Sequence, residues 1–99
     1  MLVTYHLLVK ITLSKIARKQ LDIVPCHIYR KYLYWIDLLQ TIGLLEARKY
    51  KGFHDEPLKG ERKGQRSVRL SKGYRAIYQE VSPGNYEVIE IIEVNKHDY

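Results

Sequence analysis

Cysteine is nearly absent from this chain. Cys26 stands alone, so no internal disulfide can form and a reducing cytoplasm is the expected compartment. His27 beside it does not make the thiol a nucleophile, because adjacent helical residues do not face each other. A buried or half-buried thiol is the expectation. Long apolar runs are missing too, and nothing approaches the roughly 18 residues of a membrane span. The opening MLVTYHLLVKITL is interrupted by His6 and Lys10 and lacks a small-residue cleavage site, so it does not read as a signal peptide. Neither internal repeats nor low-complexity segments occur. His54 and His97 lack HxxxH or Cys–His ligand spacing, which argues against a zinc site and leaves no metal or cofactor expected. Carboxylates are the scarce charge: 11 Asp and Glu face 17 Lys and Arg, a net charge of +6. The expected partner is therefore acidic, and charge alone leaves nucleic acid, an acidic protein and a membrane surface open.

What is present fits one small globular domain spanning residues 1–99, with 45% hydrophobic and 28% charged residues. The charge is unevenly placed. Between Lys59 and Arg75 lie seven cations (Lys59, Arg62, Lys63, Arg66, Arg69, Lys72, Arg75) against one carboxylate, Glu61. From Glu80 onward the balance reverses, with Glu80, Glu87, Glu90, Glu93 and Asp98 opposing Lys96. That polarity points to a folded domain with one basic face, not a basic tail.

Val3, Tyr5, Leu7, Val9, Ile11 and Leu13 alternate with Thr4, His6, Lys10 and Thr12, the period of a strand. Ser14 is placed to cap a helix through Ile16, Ala17, Gln20 and Leu21. Pro25 suits the first turn of a second helix, in which Ile28, Tyr32, Trp35, Ile36 and Leu39 recur at helical steps and Gly43 is the stop. Tyr29, Tyr32, Tyr34 and Trp35 are expected to pack on a sheet, the alternative being a base-stacking platform. Leu44 to Gly64 shows no sustained periodicity and reads as one long loop. Strands follow at Gln65–Leu70, Tyr74–Val81 and Tyr86–Asn95, joined by Ser71-Lys72-Gly73 and by Ser82-Pro83-Gly84-Asn85. The run VIEII is apolar on both faces and belongs inside the sheet. The predicted fold is α+β: strand, two helices, three strands, with both helices on one face of a mainly antiparallel sheet.

Alternation aims Arg69 away from Val68 and Leu70. Arg75 starts the next strand just after a tight turn, so the two guanidinium groups are positioned to meet one phosphate. Asn95, His97 and Tyr99 share one side of the last strand or its extension, and the long loop can bring Glu56 and Lys59 to the same surface. Cleavage of an RNA backbone by its own 2′-hydroxyl needs a base, cations for the pentacoordinate phosphorane, and an acid for the leaving 5′-oxygen. Glu56 or His97 fits the base, Arg69, Arg75 and Lys59 the stabilisers, and His97 or Tyr99 the acid. The cationic stretch Lys59, Arg62, Lys63, Arg66 and Lys72 fits phosphate binding, with a solvated basic surface as the alternative.

The segments EPLKG, SVRLSKGYRAIYQ and the closing KHDY resemble the RelE/ParE superfamily of bacterial toxin–antitoxin toxins, and within it the RelE, YoeB and HigB-type messenger-RNA interferases. The resemblance covers about Gly43 to Tyr99; the strand–helix–helix beginning agrees in layout. It implies a RelE-like fold and a ribosome-dependent endoribonuclease that cuts messenger RNA without metal and is neutralised by a separately encoded antitoxin. Arg75 matches the arginine after the hairpin turn that contacts the scissile phosphate in these toxins. Arg69 stands where RelE has a catalytic lysine. Glu56, just before PLKG, falls where YoeB-like members have a glutamate base and HigB-like members a histidine. His97 and Tyr99 match the histidine and aromatic residue used near the leaving group.

The terminal pair departs from the pattern: it is HxY here, where YoeB-like members have the two residues adjacent. That leaves the division of acid and base work between His97 and Tyr99 open. ParE-type members share the fold yet poison DNA gyrase, and they generally lack the terminal histidine and tyrosine set found here. A basic nucleic-acid-binding module without catalysis is a third reading. The implied partners are the antitoxin, the ribosome and messenger RNA, with no membrane; oligomeric state is not encoded in any pattern above.

Overall fold

A computed structural model describes residues 9–82 and 87–96. The elements run β1 (Val9–Leu13), α1 (Lys15–Ile23), α2 (Cys26–Ile42), α3 (Leu44–Ala47), a 3-10 turn at Lys51–Phe53, β2 (Glu56–Pro57), a second 3-10 turn at Gly60–Arg62, β3 (Gln65–Arg69), β4 (Tyr74–Ser82) and β5 (Glu87–Lys96). The five strands form one sheet in the order β1-β5-β4-β3-β2. β1 runs parallel to β5, and the other neighbours are antiparallel. The expected α+β plan is therefore present. Four short elements come from the segment Leu44–Gly64, expected as a single loop: helix α3, the edge strand β2 and the two 3-10 turns. All are too short to leave a periodic trace, and tertiary packing supplies what their sequence does not. The first part of the expected opening strand, His6, and the expected turn at 83–85 lie outside the described residues.

Helix α1 starts where the hydroxyl of Ser14 accepts a hydrogen bond from the Ala17 amide at 3.0 Å. That hydroxyl also donates to the Ile92 carbonyl at 2.6 Å, and the Ser14 amide donates to the Ile91 carbonyl at 3.0 Å. One residue thus caps the helix and ties its start to β5. Only Ala17 and Leu21 of α1 are buried. Ile16, expected on the packed face, is 61% exposed because it precedes Ala17 by one position and points off the sheet. The Gln20 side chain accepts from the Val94 amide at 2.6 Å, serving a backbone donor of β5.

Helix α2 lays Ile28, Tyr32, Trp35 and Leu39 on the sheet at helical spacing. Each such burial contributes about 1.5–3 kcal/mol relative to exposure. Trp35 packs against Tyr78 of β4 with ring centroids 5.4 Å apart, so part of the aromatic face is core. Tyr29 and Tyr34 remain largely exposed. Cys26, expected to be buried, is exposed, since it occupies the first turn of α2 ahead of the packed stripe. Gly43 ends α2 at φ 83°, a left-handed angle that glycine adopts without the penalty of a Cβ. Gln40 of α2 closes the edge of β1: its Nε2 donates to the Val9 carbonyl, and its Oε1 accepts from the Val9 amide at 3.1 Å.

The core lies between these helices and Val68, Ala76, Tyr78, Ile89, Ile91 and Val94 of the sheet. Among the described residues no helix lies on the other sheet face. Register irregularities between Ile77 and Tyr78, and between Glu80 and Ser82, offset β5 against β4. An extra residue in one strand shifts the alternation, which is why VIEII can look apolar on both faces.

Because Ser14 serves both α1 and β5, Ser14→Ala is expected to cost about 1–2 kcal/mol. Chemical denaturation would show this as a lower midpoint with an unchanged slope.

Candidate functional site

The uncovered sheet face collects polar groups by register. Arg69 pairs with Arg75, and Arg75 with Asn95, so one row across β3, β4 and β5 reads Arg–Arg–Asn. The next row on the same face is Glu56, Ser67, Ile77 and Glu93. Strands are spaced ~4.8 Å and same-face residues ~6.8 Å along a strand, which puts the Glu56 and Arg75 Cα atoms ~12 Å apart. Side chains of that length reach a common ligand across such a gap. Arg69 and Arg75 are half-buried. Among the described residues no hydrogen-bond partner meets the buried Nε of Arg75. Such an orphan donor costs about 1–3 kcal/mol and is a standing demand for an acceptor.

A second feature lies over the row of Ser67 and Ile77. Arg62, carried by the 3-10 turn, donates to Gln65 at 2.9 Å and pairs with Glu93 on β5. Its side chain thus spans β4 between β3 and β5, and Ser67 and Ile77 beneath are 4% and 1% exposed although they sit on the face without helices. The other oxygen of Glu93 accepts from Asn95. Gly64, at φ 98°, gives the sharp backbone turn that returns the chain into β3.

On the opposite face a polar chain is sealed beneath the loop before β2. The Asp55 carboxylate, 2% exposed, accepts from Arg66 Nε at 2.6 Å and from the Tyr78 hydroxyl at 2.6 Å. Tyr78 in turn accepts from Arg48 Nε at 3.2 Å, and Arg48 pairs with Glu80 at 2.6 Å. Burial pushes the Tyr78 phenol well above its ordinary range, and the bond to Asp55 adds to this.

The cations of the basic stretch therefore fall into three groups. Lys59, Lys63 and Lys72 are exposed. Arg69 and Arg75 share a row on the uncovered face. Arg62 and Arg66 are engaged by Glu93 and Asp55, Arg66 on the core side of the sheet. Glu56 is exposed on the row beside Arg69 and Arg75, and His54 is exposed in a left-handed conformation, φ 45°. His97 and Tyr99 lie outside the described residues. No cluster of three His, Cys, Asp or Glu side chains fit to hold a metal occurs among the described residues, and no helix there is long and apolar enough to cross a membrane.

Asp55, Tyr78 and Glu93 were not legible as functional candidates. A signal for Asp55 existed: the alternation that sends Val68 and Leu70 to the core sends Arg66 with them, and a core-facing arginine requires an acidic partner.

No known family profile matches the chain, and no curated protein matches it. Solved structures do. The YoeB/ParE toxin from Agrobacterium tumefaciens aligns with a TM-score of 0.66 at 20% identity, covering 90% of this chain and 99% of that one. The archaeal RelE of a RelE–RelB complex from Pyrococcus horikoshii aligns at 0.67 and 25% identity, covering 90% and 94%. A chain of the YoeB–YefM complex from Staphylococcus aureus aligns at 0.67 and 20%, covering 91% and 98%. The fold is that of the RelE/ParE superfamily of toxins.

The division among cations is testable by stability. Removing Arg66 leaves Asp55 buried and short of a donor, so Arg66→Ala is expected to lose about 2–3 kcal/mol. Lys63→Ala, on the surface, should stay within about 0.5 kcal/mol. Parallel urea titrations of the two variants read the difference.

Proposed function

We propose that this protein is the toxin of a toxin–antitoxin pair and acts as a ribosome-dependent, metal-independent endoribonuclease on messenger RNA. The observation that carries the reading is the row Arg69–Arg75–Asn95, with the Nε of Arg75 buried and without an acceptor among the described residues, and Glu56 exposed on the adjoining row. Two guanidinium groups side by side on one row suit the extra negative charge of a phosphorane, because donors already gathered there need little reorganisation as that charge forms. In this reading Arg75 and Arg69 grip the scissile phosphate. Glu56 takes the 2′-hydroxyl proton, which frees the oxygen to attack phosphorus, and the bond to the 5′-oxygen breaks as that oxygen receives a proton. The proton comes from His97 or Tyr99, a few residues beyond Asn95. An imidazole suits the task near neutral pH, and a tyrosine can stack on a base while donating. Lys59, Lys63 and Lys72 supply attraction for the RNA backbone, and Arg62 and Arg66 hold the surface that presents them.

The fold likeness supports the toxin role, and solved neighbours captured with RelB and YefM support an antitoxin as partner. A cytoplasmic location follows from the same reading, since that is where translating ribosomes and the antitoxin meet.

A reporter messenger RNA in a translating extract tests the activity. Cleavage confined to ribosome-occupied codons is expected; intact RNA overturns the nuclease, and intact RNA with a supercoiling defect points to gyrase instead. Arg75→Ala should fold normally and cleave about 100-fold more slowly or worse. A folded Arg75→Ala variant with the wild-type rate would remove Arg75 from the site.

Docking has its own signature. Affinity for the programmed ribosome should fall steeply with salt, and removing Lys59, Lys63 or Lys72 should each shallow the log–log slope by about 0.7–0.9. A flat response means these lysines are only a solvated face.

A further inference from the structure

Strand β2 is two residues long, lies at the sheet edge, and contains Pro57, which has no amide to donate. Its register pairs are Glu56 with Ser67 and Pro57 with Arg66, and just beyond it the Leu58 amide donates to the Gln65 carbonyl at 2.9 Å. A strand this short does not hold a side chain in place by its own ladder. Yet the residue before it is the most firmly anchored carboxylate described. The Asp55 side chain is 2% exposed and takes one donor on each oxygen, Arg66 Nε and the Tyr78 hydroxyl, both at 2.6 Å. Arg66 also reaches the Asp55 backbone carbonyl at 3.4 Å. Both donors are themselves fixed: Arg66 by the β3–β4 ladder, Tyr78 by Arg48 and by packing on Trp35. His54 immediately before adopts φ 45°, a left-handed turn that costs a non-glycine residue about 1–2 kcal/mol. That turn delivers the next side chain into the core.

We propose that Asp55 is a positioning residue that aims Glu56 at the Arg69–Arg75 row. Successive residues of an extended chain point to opposite faces, so pinning Asp55 on the core side sends Glu56 to the reactive side. The pinning also sets where along the sheet Glu56 stands. Without it, β2 has one backbone neighbour and a proline, and Glu56 samples the space above the edge. This rests on the reading of Glu56 as the base, and it assigns the base's aim to a group that never touches substrate.

The test compares Asp55→Asn, Glu56→Gln, the double variant and Glu80→Gln. Asparagine keeps the shape of Asp55 while removing its charge. Glu80→Gln loosens the far end of the same hydrogen-bonded chain, at Arg48, without touching β2. In the translating extract Asp55→Asn should lower kcat about 10–100-fold with KM nearly unchanged, as expected when a reacting group is misaimed. The double variant should be no slower than Glu56→Gln alone, because a residue acting only through Glu56 has nothing further to lose. Glu80→Gln should cleave normally. Hydrogen exchange supplies a readout free of activity: the Leu58 amide should exchange at least about tenfold faster in Asp55→Asn and unchanged in Glu80→Gln. Tyr78→Phe, which removes one donor, should move every quantity the same way by less, and it carries the test if Asp55→Asn does not fold.

Wild-type kcat in Asp55→Asn, or a double variant slower than Glu56→Gln by the full Asp55→Asn factor, overturns the proposal. Should the wild-type protein cleave no messenger RNA, the nuclease reading fails by itself and exchange decides the positioning. Faster Leu58 exchange sustains it, and wild-type protection in Asp55→Asn overturns it.

Discussion

Strand alternation divides this sheet into two chemistries, and the rest of the molecule follows from that division. On one face Val68, Ala76, Tyr78, Ile91 and Val94 meet the apolar stripes of α1 and α2. On the other face no helix lies among the described residues, and Arg69, Arg75, Asn95 and Glu93 come into rows because β3, β4 and β5 are held in register. Burial on the first face fixes the register; a slip by one residue would send Val68 outward and Arg69 into the core. The row Arg69–Arg75–Asn95 is therefore held in register by packing on the opposite face of the sheet.

Charge is handled differently on the two sides. The buried carboxylate of Asp55 is matched by Arg66 and by the Tyr78 hydroxyl, which meets the general requirement that a buried charge be paired and hydrogen-bonded. On the uncovered face Arg62 is matched by Glu93, whereas Arg75 keeps a buried nitrogen without an acceptor among the described residues. A basic stretch that looks uniform along the chain is thus sorted into cations matched by a carboxylate and cations that are not, among the described residues. A net positive charge favours anions near the surface in general, and the unmatched guanidinium is the described group with a buried donor still open.

The segment between α3 and β3 illustrates how a chain without periodic patterning is ordered. A left-handed residue at His54, a buried pair at Asp55, two residues of strand and the crossing side chain of Arg62 each fix one point. Ser67 and Ile77 are covered as a result, though they face away from the helices. Such a segment tolerates sequence variety wherever no anchor falls.

Composition and period were enough to place β1, both long helices, the hairpin of β3 and β4, and β5. Each of these is long relative to its repeat, and its apolar residues return every two or every three to four positions. The capping role of Ser14 and the stop at Gly43 were legible for the same local reason: a side chain or a left-handed angle acts within one turn. Arg69 and Arg75 were legible as a pair because a tight turn joins their strands and sets them opposite. Strand β2, the short helix α3, the exposure of Ile16 and Cys26, and the pairing of Arg62 with Glu93 were not. These depend on contacts between residues far apart in the chain, Arg62 and Glu93 being 31 positions distant, and no local repeat encodes such a meeting. Asp55 is the sharpest case. Its neighbour Glu56 carries the recognisable motif, while Asp55 acquires its role only where the fold brings Tyr78 and Arg66 around it. Local pattern along the chain sets which elements form and which residue types they carry; packing in three dimensions sets which charges are matched, because matching is a matter of distance in space.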